Sequence, residues 1–297
     1  MTTPSDALYE AFCEEPWAIL ESRLPLLLSA AMRGLSPDVV AAIPGERRRS
    51  GAVAVLPIHG PVSPRANFFT MFFGGVGLDT WAGEFRAMLA DPQVRAIVLD
   101  IDSPGGSAAG VEEMATEILA SRGSKPIIAV ADTLAASAAY WLASAADEIV
   151  TSPSAEVGSI GVFALHLDMS RAMDAAGVTP TIIKAGKFKA EGNPWQPLTA
   201  EAQEYLQSRV NDYYTAFVGG VAKGRGVPPA KVREEFGQGR MVGAKDAVRL
   251  GMADRVGTLT QTLARLGVPA ISAPMVAVVE PVPVGMGERE RLTLRYS

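Results

Sequence analysis

At 297 residues, 48% hydrophobic and 20% charged, the chain can bury a sizeable core and has an ordinary globular profile, which excludes wholesale disorder. Its formal net charge of -5 supplies no general attraction to nucleic acid. Cys13 is the only cysteine, which rules out an intrachain disulfide and a cysteine metal cluster and fits a reducing, cytoplasmic setting.

Residues 5–33 read as helical. Their start, MTTPSDALYEAFCEEP, is acidic and lacks the basic-then-apolar order of a secretory signal. The run LPLLLSAAM (24–32) is too short to span a bilayer. It predicts no membrane anchor, but an amphipathic helix packed on the domain or on a sister subunit. Pro44, Gly45 and the basic cluster GERRRS (45–50) then mark a solvated linker.

The folded core is expected to begin near Gly51. AVAVLPIHG (52–60) and VRAIVLDI (94–101) read as buried strands with a helix over 78–91 between them. DSPGGS follows, then a helix over 107–121, the strand PIIAV (126–130), a helix containing Ser137, and short strands near 148–151 and 160–165. A helix at 168–176, a strand in TPTIIKAG, and a long helix over 199–222 capped by Thr199 complete the pattern. Strands alternating with helices predict an α/β fold with a largely parallel sheet, whose functional groups gather at the carboxyl ends of the strands. The plan is an extension and linker at 1–50, one folded domain at 51–268, and a Pro- and Val-rich tail or arm at 269–297.

DIDSPGGSAAG (100–110) leaves a strand and opens a helix, and Gly105 and Gly106 can turn their amides into a cleft, where they would hold an oxyanion or a phosphate. The spacings of nucleotide-binding loops are absent, so no nucleotide cofactor is expected. Ser137 in TLAASAAYWLASAAD stands at the next loop-to-helix junction, either as a packing residue or as a nucleophile. A nucleophile needs a base. Of the two histidines, His59 closes the first strand and His166 is expected in an apolar strand, and Asp102, Asp132 or Asp168 could orient either one. The other route is a lysine, from Lys184, Lys187 or Lys189. A lysine serving as base must be neutral, so its pKa has to fall well below its ordinary value of about 10.4, and burial supplies such a fall.

DSPGGS, Ser137 in LAASAAYWLASAADEIV, GSIGVF (158–163), KAGKFKAEGNPW and GRMVGAKDAVRLGMADRVG (239–257) together resemble, in order, the motifs of the signal peptide peptidase A (SppA) serine peptidases. The resemblance covers about residues 52–260. It implies a Clp/crotonase-like fold with repeated β-β-α units. The short form and VLPIHGPV are similar to the head-maturation peptidases of lambda-type tailed phages.

Carried over residue by residue, the resemblance implies Ser137 as nucleophile and Lys189, the last residue of a G-x-x-K, as general base, with Lys187 its rival. It implies Ser159 as the group orienting the lysine, and the amides of Gly106 and Ala138 as an oxyanion hole that Gly105 shapes. No metal or cofactor is implied, and a homo-oligomeric ring is. Ala138 and Ala139 stand where the family commonly has glycines, which opens the question of how the cleft is shaped.

The function this implies is a serine endopeptidase acting on polypeptides, such as capsid, portal or scaffold proteins during phage head maturation. The alternative is a cytoplasmic bacterial peptidase that degrades signal-peptide remnants. Two readings from other classes are a crotonase-like acyl-CoA enzyme, which leaves Ser137 and Lys189 without a joint task, and a non-catalytic assembly or scaffold protein on a peptidase fold.

Overall fold

The computed structural model describes residues 16–23, 48–50, 52–66, 70 and 74–268. The described residues open with a short strand β1 (Trp17–Ile19) and a 3-10 turn, and β2 (Arg48–Ser50) leads into β3 (Val53–His59). Two β-β-α units follow. In the first, β3 is succeeded by β4 (Val62–Ser63), β5 (Val76–Gly77) and helix α1 (Leu78–Ala90). The second runs through β6 (Ala96–Ser103), β7 (Gly105–Ser107) and α2 (Val111–Ala120). Next come β8 (Ile127–Ala136), α3 (Ala138–Ser144), β9 (Glu148–Thr151), β10 (Glu156–Gly158) and α4 (Ser170–Ala175). The long α5 (Ala200–Arg225), α6 (Pro229–Glu235), β11 (Met241–Gly243), α7 (Ala244–Leu250), β12 (Arg255–Val256) and α8 (Leu259–Arg265) end the described chain.

Eight strands form the main sheet, with the path β11-β10-β8-β6-β3-β2 and with β9 and β12 joined to it through β8. Strands β3, β6, β8 and β10 run parallel, so the α/β, largely parallel reading holds. Their continuous apolar runs follow from burial on both faces. Alternate residues part to opposite sides. Leu56, Ile58, Ile97, Leu99 and Ile101 join the helices α1, α2, α3 and α5 in one core, while Val53, Val55, Val98, Ile128 and Val130 meet Val268 and α8 in a second.

The second strand of each β-β-α unit leaves this sheet for a smaller one, ordered β1-β7-β4-β5. The departure is prepared in β6, whose register against β8 shifts between Ile101 and Asp102.

Helix α3 is held by α5 along one face and by Arg122 at its end. Trp141 stacks on Phe217 of α5 at 4.7 Å between ring centroids. Arg122 donates to the carbonyls of Ser144, Ala145 and Ala146 at 3.0, 2.9 and 2.6 Å, satisfying groups that a helix end leaves open. Two glycines of α5 allow the close approach: a Cβ on Gly220 would lie 2.2 Å from Trp141 Nε1, and one on Gly224 would lie 2.0 Å from the Ser144 carbonyl oxygen.

Several expectations from the sequence are corrected. Residues Trp17–Ile19 form a strand, not part of a helix, and the rest of 5–33 falls largely outside the described residues. Arg48–Ser50, read as linker, pairs antiparallel with β3. Residues 160–165 hold only a single bridge, at Phe163. No strand forms in 179–186 either: Ile183 is 96% exposed and the segment has no neighbouring strand to complete a ladder. The tail beyond 268 lies outside the described residues. Among the described residues no helix is long and apolar enough to cross a membrane.

A mid-helix glycine ordinarily costs stability relative to alanine, by about 1 kcal/mol. Gly219→Ala on α5, where an added Cβ meets nothing within 4 Å, is therefore expected to raise the urea midpoint. Gly224→Ala should lower it, with a net loss of about 1–3 kcal/mol from overpacking against Ser144, and equal midpoints for the two variants would refute the close-approach account.

Candidate active site

Ser137 occupies the one-residue junction between β8 and α3 with φ 54° and ψ -119°. Positive φ is uncommon outside glycine and costs about 1–3 kcal/mol unless the surroundings impose it. Among the described residues only Ser137, Ser159 and Gln238 are non-glycine residues of this kind, and the sequence had singled out the first two. The surroundings do impose it. The Ser137 N–H donates to Gly158 O at 2.7 Å, and its carbonyl accepts from the Trp141 N–H at 3.0 Å, the first bond of the helix.

That same bond brings Ser159 close. Strand β10 pairs with β8 so that Gly158 is opposite Ala136, and the chain then turns at Gly158 (φ 119°), where a Cβ would lie 2.9 Å from Arg240 O. Ser159 follows at φ 52°, with its N–H on Arg240 O at 3.0 Å and 7% of its surface exposed. Ser137 itself has none of its surface exposed, and its Oγ is 3.5 Å from Gly161 O, at the outer edge of hydrogen-bonding range.

The glycine loop reaches the same edge from β6. Gly105 takes φ 89°, and a Cβ there would lie 3.0 Å from the Ala138 nitrogen and 2.9 Å from Ala136 O. The loop therefore lies directly against the amide that follows Ser137. As the first residue of α3, Ala138 has an N–H without an acceptor inside the helix. The loop is tied down by Ser103, to which the sequence alone gives no role. Ser103 Oγ donates to Gly60 O at 2.6 Å and accepts from the Gly105 N–H at 3.2 Å. The serine of DSPGG was visible in the motif, but nothing in the sequence linked it to Gly60.

Ala138 and Ala139 are the first two residues of α3 and are fully buried. They take helical angles, which suit alanine, so the turn needs no glycine after Ser137.

The candidate bases are dispersed. Lys189 is exposed in the segment between α4 and α5, its N–H bonded to Gly186 O at 3.3 Å, and no hydrogen bond joins its amine to Ser137 or Ser159. Lys187 pairs with Glu201 at 2.7 Å and lies over the Phe188 ring, while Lys184 donates to Lys187 O at 3.2 Å. His59 faces Asp100, with Nε2 and Oδ2 3.2 Å apart, and this hydrogen bond raises the imidazole pKa above its ordinary value. His166, expected in a strand, lies outside any strand and buries Nε2 without a partner. Neither imidazole bonds Ser137. The three aspartates have other partners: Asp102 accepts from Thr133, Asp132 from Ser152 at 3.1 Å, and Asp168 from the Ser170 N–H at 2.9 Å. No Ser-His-Asp triad is assembled among the described residues.

Comparison with known proteins adds an independent line. Residues 120–270, which include Ser137, Ser159 and Lys189, match the model of peptidase family S49. The chain is 38% identical over 159 residues to the head-tail preconnector protein GP5 of Enterobacteria phage P21, covering 54% of this chain and 32% of that one. It is 31% identical over 211 residues to the capsid assembly protease C of Escherichia phage lambda, covering 71% and 48%. A putative protease, MJ0651, of Methanocaldococcus jannaschii is 35% identical over 176 residues, covering 59% and 56%. The chain thus spans between about a third and just over half the length of these relatives.

The strain at Ser137 can be measured. Glycine elsewhere costs roughly 0.5–1 kcal/mol relative to alanine, but at a position with φ 54° it should do the reverse. Ser137→Gly is expected to unfold at higher denaturant than Ser137→Ala, by about 1 kcal/mol in stability. A more stable alanine variant would show that the turn is unstrained.

Proposed function

The chain belongs to peptidase family S49, and from that premise we propose that it is a serine endopeptidase with Ser137 as nucleophile. Ser137 Oγ attacks a peptide carbonyl, and Lys189 takes the hydroxyl proton and returns it to the leaving amine. Water then hydrolyses the acyl-enzyme. Ser159 orients the lysine amine, and the Ala138 amide with the Gly105–Gly106 loop stabilises the oxyanion. The observation that carries the reading is the strained Ser137 turn, set against the glycine loop by β8 and next to Ser159 by β10.

Lys189 has to come to Ser137 for this chemistry. The segment that bears it exposes Ile183, Phe188 and Trp195, at 96%, 52% and 43%, and apolar exposure of this extent suits a face covered by a second copy of the chain. We take the working form to be a homo-oligomer that completes the dyad.

The names of two relatives, a head-tail preconnector protein and a capsid assembly protease of phages, support a role in processing head-assembly proteins such as capsid, portal or scaffold subunits. The archaeal relative, named a putative protease, supports the alternative of a general peptidase. Genes for portal and capsid proteins beside this one would favour the first.

Hydrolysis of denatured casein tests the dyad. Ser137→Ala and Lys189→Ala are each expected to lose about 10³-fold or more in rate, while Lys187→Ala, His59→Ala and His166→Ala keep theirs. Loss in a histidine variant with Lys189→Ala fully active would overturn the base assignment. If the dyad is shared between copies, mixing the two inactive variants restores part of the activity. No recovery would place both groups in one chain.

A further inference from the structure

Strand β1 lies where a peptide would have to lie to meet Ser137. It pairs antiparallel with β7, the strand made by the glycine loop itself, with Trp17 opposite Ser107, Ala18 opposite Gly106 and Ile19 opposite Gly105. On its other edge Trp17 exchanges both backbone bonds with Phe163, at 2.8 and 3.0 Å. The segment is therefore zipped by main-chain bonds between the oxyanion loop and the chain that follows Ser159. Backbone bonding on both edges is how a groove holds an extended polypeptide of variable sequence.

The register decides which carbonyl meets the loop. Bonds from Leu20 N–H to Pro104 O (2.8 Å) and from Ala108 N–H to Pro16 O (3.1 Å) bracket the pair Ala18–Gly106. By the alternation of an antiparallel ladder, that pair exchanges both of its bonds. The Gly106 N–H, assigned above to the oxyanion hole, thus points at the carbonyl oxygen of Ala18. That oxygen lies 2.2 Å from the place of a Gly105 Cβ, and the Ala138 nitrogen lies 3.0 Å from the same point. The carbonyl sits beside both proposed oxyanion donors. Trp17, Ala18 and Ile19 are 4%, 0% and 3% exposed, and Ser137 beside them has no exposed surface. A nucleophile so enclosed cannot receive a polypeptide until something moves.

We propose that Trp17–Ile19 is a built-in substrate mimic seated in the peptide groove of the active site, and that a polypeptide binds by replacing it. The inference rests on the reading of Ser137 and its glycine loop as a peptidase site. It also names the class of segment the groove takes: extended chain with a small residue, as at Ala18, between two large apolar ones.

The test uses the full-length chain and a fluorescent peptide of residues 14–22, EEPWAILES. Ala18→Pro removes the N–H that bonds Gly106 O and should free the groove. Fluorescence anisotropy is expected to show the peptide binding this variant at least about tenfold more tightly than wild type, with casein hydrolysis raised in parallel. Equal binding to both proteins, or binding to neither, overturns the proposal. Thermal unfolding checks that the variant is folded. Should it not be, Trp17→Ala, which keeps the backbone bonds and loses the buried indole, is measured instead against the same criterion. Tighter peptide binding with no hydrolysis by any form would sink the Ser137 chemistry and leave the strand proposal standing. Hydrolysis by wild type at the variant's rate, with no difference in peptide binding, would do the opposite.

Discussion

The parallel register of β6, β8 and β10 is the constraint from which the rest of the site follows. These strands end at one edge of the sheet, and each releases a different chemical group there: the glycine loop after β6, Ser137 after β8 and Ser159 after β10. The Ser137 N–H to Gly158 O bond continues the β8–β10 ladder one residue past the sheet. It forces the serine into a conformation that an L-residue avoids when free. The backbone thereby sets the direction in which the Ser137 side chain leaves the chain, at the edge where the glycine loop and Ser159 meet.

Such a turn persists only if the elements on both sides cannot relax. Helix α3 is short, and its seven residues are all buried. The Trp141–Phe217 stack, the Arg122 bonds to its last carbonyls and the glycine-lined face of α5 fix it in place. On the other side, Ser103 ties the glycine loop to Gly60. The small residues that made TLAASAAYWLASAAD look like a packing helix serve that purpose and also let the backbone of the loop come against Ala138. Packing and presentation of Ser137 are one arrangement.

Much of this was legible in the sequence, because it rests on short-range pattern. Apolar strands such as AVAVLPI and the capped helix beginning after Thr199 carry their own signals, and the order of motifs singled out Ser137, Ser159 and the two glycines. What could not be read depended on partners distant in the chain. Trp-Ala-Ile is too short to show a period, and it is a strand only because β7 and Phe163 offer edges. Arg48–Ser50 looks like a linker until β3 pairs with it. In TPTIIKAG the β-branched residues were present and the neighbouring strand was not. Lys189 is the same case at the level of chemistry. Its spacing from a glycine marks its type, and nothing in that spacing says how an exposed segment stands relative to Ser137.

The central claim is that Ser137 is the nucleophile. Prolonged incubation of the wild-type chain with a fluorophosphonate, followed by intact-mass measurement and peptide mapping, tests it directly. One adduct per chain, carried by Ser137, is expected. An adduct on another hydroxyl, or an unlabelled protein that still hydrolyses polypeptide, would contradict it.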